Sequence, residues 1–99
     1  MAVLAIFTGP ITKSQYDTVR KDIDWVTNQP HGAIFHAASF DEAGHAHVAD
    51  VWESPEALNA FVQQRLMPAM QRHKVPQPAV SVFPTHVIHA FKAIEKHRI

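Results

Sequence analysis

The chain has no cysteine among its 99 residues, so disulfides, thiolate metal sites and cysteine nucleophiles are excluded. It has only three glycines, and no glycine-rich phosphate loop can be written with them. Net charge is also missing: Lys plus Arg and Asp plus Glu both number 9. That balance gives no basic footprint for nucleic acid, and none is expected as a partner. No apolar run approaches the length of a membrane span, and the start MAVLAIFTGP lacks a basic leader region. The expectation is a cytoplasmic protein with no membrane partner. No G-x-S-x-G elbow or zinc signature is present.

What is present is a folded-domain composition, 46% apolar, with an unusual eight histidines. Those histidines should make the charge rise steeply below about pH 6.5. The length fits one domain, taken as residues 1–91 with a tail at 92–99.

Ala46 to Phe61, AHVADVWESPEALNAF, organises the chain. It reads as a strand running into a helix capped by Ser54, with Pro55 at the first helical position. Residues 2–8, AVLAIFT, are a continuous apolar strand. Thr12 and Gln15 form a capping box. The helix it opens should bury Tyr16, Val19, Ile23 and Val26, with Lys13, Asp17, Arg20, Lys21 and Asp24 largely outside that stripe. Residues 32–40 and 45–53 read as strands joined by Asp41-Glu42-Ala43-Gly44, hence an antiparallel hairpin. Leu58, Phe61, Val62, Leu66 and Met70 share one side of the second helix, and Pro68 should kink or split it near 65–67. Residues 79–90 read as a last strand that Pro84 interrupts. FKAIEKHRI is either a short helix or frayed.

The order β-α-β-β-α-β predicts an α+β, ferredoxin-like fold: a four-stranded antiparallel sheet with two helices on one face. The uncovered face, assigned Val48, Trp52, Ile34 and Ala38 with alternate residues of AVLAIFT and AVSVF, is too apolar to stand in water. A second copy packed sheet to sheet is its expected cover, giving a homodimer with a barrel-like interior.

The block VADVWESPEALNAFV, residues 48–62, resembles the dimeric α+β barrel superfamily. That group includes antibiotic-biosynthesis-monooxygenase-like domains and stress-responsive A/B barrel proteins. FHAA at 35–38 and FPTH at 83–86 are similar to small bacterial members. The resemblance implies a cavity for a hydrophobic, aromatic or polyketide-like molecule, and a monooxygenase branch that needs no cofactor, metal or flavin. Trp52 matches the cavity tryptophan of that branch. The branch also tends to use an asparagine or other polar group on the first strand and a histidine on the second helix. Here nothing polar precedes Thr8, and Gln63, Gln64 and Arg65 stand where the histidine would. Cyclases and isomerases of the A/B barrel type use a cavity histidine, which His36 or His86 could supply. A ligand-binding or structural dimer without catalysis is the alternative.

An odd-length hairpin loop would set His36 directly against Asp50, and Ile34 against Trp52. A carboxylate that orients an imidazole beside an indole is an acid–base unit; the same pair could equally fix strand register. His86, beyond the Pro84 disruption, is a third catalytic candidate. Trp52, Ile34 and Phe83 are candidate ligand contacts. His45 and His47 form an H-x-H pair, but Asp50 has the opposite strand parity, so no metal site is expected. Arg65 and Arg72 are candidates to meet an anion, or ordinary surface residues.

Overall fold

The computed structural model describes residues 1–98. Strand β1 spans Val3–Gly9, β2 Ala33–Phe40, β3 Ala46–Trp52 and β4 Ala79–Pro84. They form one antiparallel sheet in the order β2-β3-β1-β4. Helix α1 spans Lys13–Ile23. The second helical stretch is α2, Pro55–Phe61, a π-helical segment Val62–Leu66, and α3, Met67–Arg72. The ferredoxin-like α+β expectation is therefore met.

Both helix starts follow from their cap residues. Thr12 accepts the Gln15 N–H at 3.1 Å, and the Gln15 side chain accepts the Thr12 N–H at 3.0 Å. Ser54 Oγ accepts the Ala57 N–H at 3.0 Å, with Pro55 following it. Pro68 neither ends nor sharply splits the second helix. It has no N–H to give to Gln64, and the backbone widens into the π segment just before it, where Met67 N–H reaches Val62 O.

Helix α1 stops earlier than its apolar stripe suggests. Asp24 takes a left-handed conformation (φ 54°) and its N–H closes on Arg20 O. Val19 and Ile23 are buried, but Val26, beyond the cap, is 74% exposed. Trp25 turns inward instead and packs against the core.

The core lies between the helices and one sheet face: Val3, Ala5 and Phe7 of β1, Ala46 and Trp52 of β3, Leu58, Phe61, Ala69 and Met70 of the second helix. Trp52 is only 3% exposed in the single chain. Its ring packs on Phe61, centroids 5.0 Å apart. This corrects the face assignment made from sequence. Val48 and Trp52 point to the helices, as does Ala38, the direct partner of Val48. The opposite face carries Leu4, Ile6, Ala49 and Val51, with Phe35 and Phe83 more exposed beside them.

Gly32 fixes the entry to β2. It has φ +82°, and a Cβ there would stand 2.6 Å from the Ala57 Cβ. Its carbonyl accepts the Glu53 N–H at 2.8 Å, tying the start of β2 to the turn before α2. Strand β4 ends at Pro84, short of the 79–90 span expected, because pairing stops where the ring removes a donor. One more bond follows, Thr85 N–H to Ala2 O at 3.0 Å. In the tail, Lys92–Lys96 form a 3-10 helix.

Candidate functional site

Strand β3 and the edge strand β2 pair Phe40 with Ala46 and His36 with Asp50. The five-residue connection sets this register, and Asp41 stabilises it by accepting the His45 N–H at 2.9 Å. Direct opposition puts both side chains on the helix face. A bulge then intervenes, so Ala33, not Ile34, opposes Trp52. Ile34 is left half-exposed at the cavity wall.

Four side chains join in one chain of hydrogen bonds. Trp52 Nε1–H donates to Asp50 Oδ2 at 3.2 Å. His36 Nδ1 lies 2.6 Å from Asp50 Oδ1, and His36 Nε2 lies 2.6 Å from Tyr16 Oη. Asp50 is buried, whereas the His36 side chain is 32% exposed and so reaches from the carboxylate toward open space. The Tyr16 hydroxyl has a pKa pushed up to about 12. Burial is the main cause; Asp50 and Asp17 add to it, while the Arg20 guanidinium opposes it. Tyr16 therefore keeps its proton. The Asp50 carboxylate accepts from Nδ1–H, which in a neutral imidazole leaves Nε2 to accept the Tyr16 O–H. The donors run in one direction, Tyr16 to His36 to Asp50, and Trp52 supplies the carboxylate's second partner.

Aromatic rings fix the imidazole in place. Trp25 lies over His36 with centroids 4.6 Å apart. The Tyr16 ring is nearly parallel to His36, at 8°, and meets Phe40 edge-on. These groups border a cavity of about 470 Å³ between the helices and the sheet. Its apolar wall includes Phe7, Val19, Ile23, Trp52, Leu66 and Met70, and its polar side chains include Tyr16, His36, Asp50, Arg20, Gln29 and Arg98. The volume is in the range of small-molecule sites.

The structure thus assembles His36, Asp50 and Trp52, with Ile34 at the wall, but leaves two sequence candidates elsewhere. Phe83 pairs with Leu4, faces the other side of the sheet and is 53% exposed. His86 lies past the end of β4, exposed and away from the cavity. His47 is paired with Asp41 at 2.8 Å on the opposite face from Asp50. Arg65 donates to Ile23 O at 2.7 Å, and Arg72 grips Asp22 through two nitrogens at 3.0 and 2.9 Å, so both tie helices together.

Sequence reasoning missed three cavity residues. Tyr16 was assigned to the core stripe; its hydroxyl was the unused signal, since a buried phenol needs a partner. Arg20 is four residues on and shares that helix face. Trp25 follows the cap and has no periodic signal.

The chain shares its fold with solved structures of antibiotic-biosynthesis-monooxygenase-like proteins. Among solved structures, Rv0793 from Mycobacterium tuberculosis superposes with a TM-score of 0.68 at 14% identity, over 91% of this chain and 100% of that one. An antibiotic biosynthesis monooxygenase gives 0.63 at 15% identity, over 86% and 99%. SnoaB, a cofactor-independent oxygenase from Streptomyces nogalater, gives 0.61 at 13%, over 88% and 93%. No family model matches the sequence, and no curated protein does. At these identities the likeness is one of fold.

Proposed function

We propose that the chain is a small cytoplasmic, homodimeric enzyme that deprotonates a hydroxylated aromatic molecule in the cavity and hands it to dioxygen without a cofactor. The observation that carries this is the oriented Tyr16–His36–Asp50 chain opening into an aromatic-lined cavity. The fold shared with SnoaB, a cofactor-independent oxygenase, supports the choice of reaction.

In this reading a substrate hydroxyl replaces Tyr16 as the donor to His36 Nε2. Nε2 takes the proton while Asp50 holds the ring through Nδ1–H. Tyr16 then donates to the new phenolate oxygen. The electron-rich ring carbon para to that oxygen reduces dioxygen and bonds to it. Loss of water leaves a quinone, so one hydroxyarene and one dioxygen give one quinone and one water. Omitting the oxygen step leaves a proton-transfer rearrangement of the cyclase or isomerase type by the same residues. Dimerisation would use the face bearing Leu4, Ile6 and Val51, leaving the cavity on the outer, helical side.

An oxygen electrode with 1-naphthol tests the reaction. Wild type should consume one dioxygen per quinone formed. His36→Gln should be slower by about 100-fold or more with unchanged circular dichroism. Equal rates would remove His36 from the chemistry. One observation favours a second reading, ligand binding without turnover: Tyr16 already occupies Nε2 at 2.6 Å. Recovery of bound 1-naphthol unchanged would favour that reading.

A further inference from the structure

We infer that the cavity selects hydroxylated aromatic molecules that also bear a carboxylate, with Arg20 as the residue that reads the anion. This rests on the cavity being the ligand site proposed above, and it adds the ligand's charge.

Arg20 lines the cavity one helical turn from Tyr16. Side chains at that spacing share one helix face, so a ligand whose hydroxyl meets His36 has a guanidinium beside the same cavity. The guanidinium is close enough to Tyr16 for its charge to act on the phenol. Arg20 is only lightly committed within the chain. Its contact with Asp17 is a single nitrogen at 3.3 Å, and both side chains are substantially exposed. Arg72 differs, with both nitrogens held by Asp22.

The other polar groups agree. Asp50 is buried and has its two oxygens engaged by His36 and Trp52, so its charge is already partnered. A second guanidinium, Arg98, also reaches the cavity wall, and its bond to Glu95 uses one nitrogen at 3.0 Å. A fork of this type suits a planar carboxylate. The apolar wall, Trp25 among it, takes the ring.

Calorimetric titration with 4-hydroxy-1-naphthoate and its neutral carboxamide, both substituted at the carbon that would take up oxygen and so read for binding alone, tests this. Wild type should bind the acid about tenfold tighter than the amide, as for a hydrogen bond to a charged group. Arg20→Gln should bring the acid down to the amide and leave the amide unchanged. Arg20→Lys should keep part of the preference, and Arg98→Gln should lose less than Arg20→Gln. Circular dichroism melting checks that each variant is folded. Equal acid and amide binding in wild type would overturn the charge assignment while leaving the cavity as a ligand site. Loss of both ligands alike in Arg20→Gln would also overturn it. If neither ligand binds wild type, the functional reading fails together with this one.

Discussion

The two faces of the sheet are built from the same strands and could hardly differ more. On the helix side, β2 and β3 present His36, Asp50 and Trp52, each hydrogen-bonded to the next. On the other side the residues between them are Phe35, Ala37, Ala49 and Val51, all apolar, and the His47–Asp41 pair stands only at the hairpin end. One face places polar groups where burial makes each partner necessary. The other offers small and branched apolar side chains that suit packing against a flat surface. The contrast teaches that alternation along a strand can separate chemistry from association within one sheet. Three predictions sharpen that contrast, and a fourth concerns the helical layer that closes the cavity.

The largest expected effect belongs to the helix side. Trp52→Ala should cost about 3–5 kcal/mol in urea unfolding, since it opens a cavity against Phe61 and removes a partner from Asp50. Val51→Ala, one residue away on the other face, should cost far less in the same measurement. Comparable losses would mean that the two faces are equally packed in the single chain.

Next comes the open face as a contact surface. Val51→Asp should turn a dimer into a monomer in sedimentation velocity while its circular dichroism stays native. A wild type that sediments as a monomer at all concentrations would break the dimer proposal.

A smaller effect tests the relay. Tyr16 is the only tyrosine, so tyrosinate absorbance reports on it alone. Its midpoint should be near 12 in the native protein, against an ordinary value of 10.0. Because the folded pKa is the higher one, the associated stability is fully present below pH 10 and is lost as pH rises from 10 toward 12. A native-state midpoint near 10 would show an unburied phenol.

The smallest effect is at the α1–α3 clasp. The two Arg72 bonds, then the one from His73, hold the Asp22 carboxyl below its usual 3.8. A depressed folded pKa contributes stability above that ordinary value and loses it as pH falls further. Asp22→Asn should therefore flatten the acid limb of the unfolding curve below pH 4. An unchanged limb would show that solvent screens the clasp.

Much of this was legible in the chain itself. The capping box at Thr12, the Ser54-Pro55 start and the apolar strand at residues 2–8 are local signals, and the elements followed them. The His36–Asp50 pairing was legible only conditionally, because parity depends on loop length. What could not be read was which side the helices cover. Strand periodicity separates two faces but does not say which one the helices take, so Trp52 lies on the face opposite to the expected one. Trp25 escaped for a different reason: a single left-handed residue, Asp24, ends the helix and redirects the chain after it. Tyr16 sits on the expected stripe, but periodicity does not show what its hydroxyl meets.

The most direct test of the account is a long-range proton–nitrogen correlation spectrum of the His36 ring at pH 9, above the ordinary imidazole range. A one-way chain into Asp50 requires Nδ1 to carry the proton and Nε2 to resonate as an unprotonated, pyridine-type nitrogen. A protonated Nε2 with a bare Nδ1 would reverse the donor order and contradict the base proposed for this cavity.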